Sequence, residues 1–207
     1  MLEVLAGRDD RDMTSSLRPV EAYRDHLNSD LHGKVIGVLE NVQEVIRDQA
    51  VRDNVEALCE KLAARGAQIR RVRMPQELME TILPVYLTIA NAEATANHSN
   101  LDGIRFGMRE DGESVEEVMK NSRTKGFSAY VRKRFIIGSY SLFVENQDKL
   151  FRKAQKIRRL LVDHYCALFA ECDCILASAA PTVAPLEDEA SDEALGKEHL
   201  VADNHMQ

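Results

Sequence analysis

No two of the ten glycines in this 207-residue chain are adjacent, and there is no tryptophan. The first absence matters for chemistry. A serine that attacks an amide needs a base within hydrogen-bond reach and backbone N–H groups aimed at the developing oxyanion. Bringing backbone that close to a substrate calls for a glycine-rich loop, because glycine adopts the required dihedrals without strain. The one Ser-Ser pair, Ser15-Ser16, has no flanking glycine and reads as a polar turn. Ser178 has no lysine or histidine partner evident in the sequence. By themselves these residues are expected not to hydrolyse an amide.

Other features are missing too. No apolar run approaches transmembrane length, and no basic flank followed by an apolar stretch opens the chain, so the cytoplasm is the default compartment. The four cysteines, Cys59, Cys166, Cys172 and Cys174, fall at no paired-loop spacing. Reduced, mostly buried thiols are expected, with Cys172 and Cys174 on one face of a strand. His164, Cys172 and Cys174 lack the short-pair spacing of structural zinc, so no metal site is assigned. Aromatic residues make up 5% of the chain, too sparse to suggest base-stacking recognition of RNA.

What remains is an ordinary globular composition, 44% hydrophobic and 29% charged, long enough for one sizeable core. Its periodicity is that of an α/β chain. Residues 34–39 and 68–73 read as strands flanking a helix whose apolar positions Val51, Val55, Leu58 and Leu62 recur at helical spacing. Gly66 supplies the stop of that helix. A helix over 76–97 carries Pro84, which kinks it or starts a second segment there. Helices over 114–124, 127–146 and 148–171 follow, the last with Leu150, Ala154, Ile157, Leu161, Tyr165 and Leu168 as its buried stripe. MLEVLAG begins its helical pattern with no capping residue before it, like the inside of a helix. Beyond Pro185 the composition turns acidic and small, and residues 186–207 are expected to form a weakly ordered tail after a domain spanning 1–185.

Six segments, in this order, resemble the amidase-signature family. They are MLEVLAGRDDRDMTSS, DLHGKVIGVLE, VRDNVEALCEKLAARGAQIRRVRMP, ILPVYLTIANAEATANHSNLDGIRFG, SRTKGFSAYVRKRFIIGSY, and KAQKIRRLL with CDCILASAAPTVAP. Within the family the likeness is to the A subunits of glutamyl-tRNA(Gln) amidotransferases. The resemblance implies part of the amidase-signature fold, a mixed sheet covered by helices and incomplete. It also implies that the family's Ser/Ser/Lys catalytic residues lie upstream of Met1, so that the chain is a fragment or truncated form. Losing the partner strands of the missing part would leave unpaired edges and marginal stability. In the intact family this subunit releases ammonia from glutamine for a B subunit, which uses ATP and magnesium to amidate misacylated Glu-tRNA(Gln), while a C subunit braces the two. A non-catalytic binding or scaffolding module and a truncated stand-alone amidase are the alternatives.

The resemblance assigns three substrate-binding residues. Tyr86 matches the tyrosine that contacts the substrate amide-acid, a role suited to a ring that packs while its hydroxyl hydrogen-bonds. Arg134 matches the arginine that pairs with the substrate carboxylate, which guanidinium geometry favours. Asp203 is the counterpart of the aspartate that holds the amino group. The family's Asp-Pro-Leu turn before it reads Asp192-Glu193-Ala194-Leu195 here, and a loose acidic tail is the other reading. Independently of the resemblance, Lys120 to Arg159 holds twelve basic residues against Glu145 and Asp148, in a chain of net charge −7. Such a run is either a contact for RNA phosphate or an acidic partner protein, or a solvated helical face.

Overall fold

Two short, β-branched runs build the sheet. VIGVL forms β1 (Val35–Leu39) and QIRRV forms β2 (Gln68–Val72), paired in parallel from Val35↔Gln68 to Leu39↔Val72. The strand β3 (Cys174–Leu176) pairs in parallel with the opposite edge of β1, giving the order β2-β1-β3. The structure, a computed structural model, describes residues 1–27 and 30–184. The acidic stretch expected to be weakly ordered, and Asp203 within it, lie outside the described residues.

The helices follow the periodicity closely. In chain order they are α1 (Leu2–Leu5), α2 (Glu40–Val45), α3 (Gln49–Ala64), α4 (Gln76–Met79) and α5 (Ile82–Asn97). Then come α6 (Val115–Gly126), α7 (Ala129–Leu142), α8 (Val144–Gln147) and α9 (Phe151–Phe169). Asp48 caps α3 by accepting the Ala50 N–H at 2.9 Å, and its other oxygen accepts the Val183 N–H at 3.1 Å. Gly66, at φ 95°, takes the chain out of α3. The helix foreseen over 76–97 is two helices, broken at Glu80–Thr81. Pro84 therefore sits in the first turn of α5, where its missing N–H breaks no helical bond. The helix foreseen over 127–146 is also interrupted, at Phe143, whose ψ of 141° is extended. No proline or glycine marks that break.

Alternation along β1 sends its side chains to two cores. On one face Val38 packs with Val55 and Cys59 of α3, and with Ile69 and Leu176 of the flanking strands. On the other, Leu39 joins Val72, Met74, Val42, Ile46, Met79, Ile82 and Leu161, so that α9 and the start of α5 cover the sheet. Cys172 belongs to this second face, where a Cβ on Gly37 would lie 2.9 Å from its sulfur. Cys174 is exposed. The two cysteines thus do not share a face: the strand begins only at Cys174, and Asp173 intervenes as an anchor. The Asp173 N–H donates to Val35 O at 2.8 Å, while its carboxylate accepts the Val35 N–H at 2.8 Å and Lys34 Nζ at 3.0 Å. These bonds hold the Asp173 carboxyl below its ordinary range, the Val35 N–H most of all.

A buried amide fixes where β2 ends. Asn41, 4% exposed, accepts the Met74 N–H at 2.9 Å and donates to Met74 O at 3.2 Å and to Gln76 Oε1 at 3.0 Å. All these bonds cross from α2 to the turn leading into α4. Among the described residues, the outer edges of β2 and β3 have no partner strand. The first 27 residues contribute nothing to the core, and Leu2, Val4, Leu5, Met13, Leu17 and Leu27 are exposed.

Candidate functional site

The helix α5 is packed on two sides, and this arrangement organises the site. Along one face Val85 and Ile89 meet Ala154, Phe151 and Ile157 of α9. Along another, α7 crosses at Gly138, where a Cβ would fall 2.1 Å from Asn91 O and 2.2 Å from Thr95 Oγ1. The Thr95 hydroxyl lies within hydrogen-bond distance of Asn91 O (2.8 Å) and Phe135 O (3.2 Å), tying the two helices together.

Tyr86 looks toward α9. It is nine residues, about two and a half turns, from Thr95 and so projects from the opposite side of α5. There it lines a groove of about 410 Å³ between α5 and α9, together with Ile82, Ile89, Glu93, Arg158 and Tyr165 among others. The walls are mainly aliphatic, and the side chains of Tyr86, Glu93 and Arg158 make no hydrogen bond or ion pair with any described residue. The Tyr165 hydroxyl is buried without a partner among the described residues, and burial raises its pKa.

Arg134 is not in this groove. It sits on α7, where its guanidinium lies 4.7 Å from the centre of the Tyr130 ring and donates to the Tyr130 hydroxyl at 2.8 Å. The structure therefore does not bring Tyr86 and Arg134 into one described cavity. Ser178 is buried, and its hydroxyl donates to Ala180 O at 2.7 Å. Among the described residues no three His, Cys, Asp or Glu side chains converge as a metal site, and no helix is long and apolar enough to cross a membrane.

The LDGIRFG segment is a built turn. Asp102, 5% exposed, accepts the N–H groups of Ile104 and Arg105, both at 2.9 Å, and these bonds lower its pKa. Gly103 has a φ of 77°, and a Cβ there would meet the Ser122 hydroxyl at 2.3 Å. Arg123 locks the turn to the helices. It donates to His98 O at 2.8 Å and Leu101 O at 3.0 Å, while its guanidinium carbon lies 5.1 Å from the centre of the Phe127 ring and 5.5 Å from that of Phe135. Sequence reasoning grouped Arg123 with the basic run and missed this role. A single arginine in a charged stretch carries no mark of the ring beneath it.

The fold divides that basic run. Arg132, Lys133 and Arg134 are on α7, against one side of α5, whereas Lys149 to Arg159 accompany α9, against the other. Ion pairs with Asp148 and Asp163 engage Arg152 and Arg159, and Glu110 engages Lys125.

Residues 1–206 match the amidase family. Over 196 residues the chain is 36% identical to the glutamyl-tRNA(Gln) amidotransferase A subunit of Koribacter versatilis (strain Ellin345), a match covering 94% of this chain and 40% of that protein. It is 37% identical over 194 residues to the protein of that name from Pseudomonas aeruginosa (strain LESB58), covering 93% and 40%. The fold is similar to the crystal structure of the glutamyl-tRNA(Gln) amidotransferase A subunit from Thermotoga maritima, with a TM-score of 0.61 at 24% identity, covering 96% of this chain and 37% of that one. It is also similar to a bacterial aryl acylamidase of the amidase signature family, with a TM-score of 0.58 at 17% identity, covering 96% and 40%. The chain thus spans about 40% of the length of the relatives it matches.

Proposed function

The chain belongs to the amidase family, and from that premise we propose that it is part of the A subunit of a glutamyl-tRNA(Gln) amidotransferase, contributing to the glutamine site. The observation that carries this reading is the similarity, 36% identity over 196 residues, to a protein of that name. In this reading Tyr86 contacts glutamine, Arg134 takes its carboxylate, and Asp203 holds its amino group. Ammonia released from glutamine passes to a B subunit that uses ATP and magnesium to amidate Glu-tRNA(Gln), and a C subunit braces the pair. The cytoplasm is the expected compartment.

Chemistry at the amide needs a nucleophile, a base and an oxyanion site. No glycine-rich serine loop occurs in these 207 residues. The contribution of the chain is therefore to bind and orient, and purified chain is expected to release no ammonia from glutamine. Release above a buffer control that disappears in Arg134→Ala would overturn this assignment. Co-purification with B and C subunits is the positive test. Failure to retain either of them, from a folded preparation, would remove the chain from the assembly.

A further inference from the structure

Arg134 is held without being neutralised. Arg70, Arg71, Arg73, Arg152 and Arg159 each meet a carboxylate, whereas the side chain that engages Arg134 is a phenol. Tyr130 stands one turn earlier on α7. Its oxygen accepts an Nη N–H of Arg134 at 2.8 Å, and the centre of its ring lies 4.7 Å from the guanidinium carbon. Both contacts orient the arginine and neither cancels its charge. The Arg134 side chain makes no other hydrogen bond or ion pair with a described residue. Arg132 and Lys133 lie beside it in the chain, and no acidic residue occurs anywhere from Val118 to Val144.

The same geometry frees a second donor. Because the Tyr130 oxygen accepts from Arg134, its own proton is left to be given elsewhere. The phenol O–H and the remaining guanidinium N–H groups are then neighbouring donors, their heavy atoms 2.8 Å apart, a spacing that suits the two oxygens of one carboxylate. Tyr130 is 64% exposed, so a ligand reaches its hydroxyl. Both residues lie in the first two turns of α7, at the positive end of the helix dipole. We infer that Tyr130 is a second contact for the substrate carboxylate, its hydroxyl donating to one oxygen while Arg134 donates to the other. This rests on the proposed role of Arg134 as the partner of glutamine's carboxylate. A glutamate at position 130 would hold Arg134 as firmly, one turn away on the helix, but would occupy the charge that the ligand needs. A phenol orients the guanidinium, leaves it cationic and adds a donor of its own.

The test is isothermal titration of the full chain with L-glutamine and with L-glutaminamide, in which an uncharged amide replaces the α-carboxylate. The parent is expected to prefer glutamine. Tyr130→Phe, which keeps the ring beside Arg134 but removes the donor, is expected to reduce that preference by about tenfold. Tyr130→Glu, which neutralises Arg134 within the helix, is expected to abolish it, as is Arg134→Gln. Tyr140→Phe, at the far end of α7 where the ring meets Phe143, should leave it unchanged. Circular dichroism on each variant establishes that the fold is kept. A merely structural Tyr130 would weaken both ligands alike and leave their ratio untouched. That result, or an unchanged titration, in folded Tyr130→Phe overturns the second contact, and the proposed function stands if Arg134→Gln still loses the preference. If the parent binds neither compound, or binds both equally, the carboxylate contact of Arg134 falls and that of Tyr130 goes with it.

Discussion

Gly138 brings α7 so close to α5 that a single carbon added at its Cα would sit 2.1 Å from the carbonyl oxygen of Asn91. Nothing at that contact is the movable end of a side chain: the nearest atoms are backbone of α5 and the hydroxyl of Thr95, which is held to the same carbonyl. Gly138→Ala should therefore force the helices apart and destabilise the fold by about 1–3 kcal/mol, despite alanine's better helix propensity. Urea unfolding followed at 222 nm measures this. A variant as stable as the parent would mean that α7 does not cross α5 here.

Asn41 should be nearly as sensitive for a different reason. Asn41→Ala removes the partner of the Met74 N–H inside the core, and an unpaired buried donor costs about 1–3 kcal/mol. The midpoint of urea unfolding is expected to fall with little change in slope. An unaltered midpoint would show that Met74 finds another acceptor.

Tyr165 predicts a change of the opposite sign. Its hydroxyl is buried without a partner among the described residues, while its ring packs against the core under β1. Tyr165→Phe keeps the ring and removes the unsatisfied group, so a gain of up to about 1 kcal/mol is expected in thermal melts. A loss of stability would reveal a partner for the hydroxyl.

Acid should loosen the β1–β3 junction. The Val35 N–H, and then Lys34, depress the folded-state pKa of Asp173 below its unfolded value. Its contribution is therefore complete above the unfolded pKa, about 3.9, and is lost as pH falls through the lower folded value. Asp102 acts in the same direction through the Arg105 and Ile104 N–H groups. Asp173→Asn, which keeps the shape but removes the charge, should lessen the acid sensitivity below about pH 4. Melts across this range that are parallel for parent and variant would exclude the junction as an acid-labile point.

Much of this was legible in the residues. α3 and α9 follow from apolar periodicity, although Leu58 on α3 and Leu150 before α9 are exposed, and β1 reads as a continuous apolar run because it is buried on both faces. The break before α5 was announced by Pro84, a proline being easiest to seat in a first turn. The break at Phe143 was not, since it depends on how α7 and α9 meet α5. The Arg123 junction, the separation of Cys172 from Cys174 and the sharing of one groove by Glu93 and Arg158 were also hidden. Each is a meeting of segments far apart in the chain, and local pattern records only what one element does with its own faces.

The position of β1 between two strands that are both made after it, one soon and one late, has a consequence in time. Val35 and Asp173, which fasten β1 to β3, are 138 residues apart. A ribosome adding about 5–20 residues per second needs roughly 7–28 s to travel that distance. Once β2 has been made, the nascent chain carries β1 with one flank still open for the rest of that interval, and Cys172, the residue that will rest on Gly37, has not yet been made.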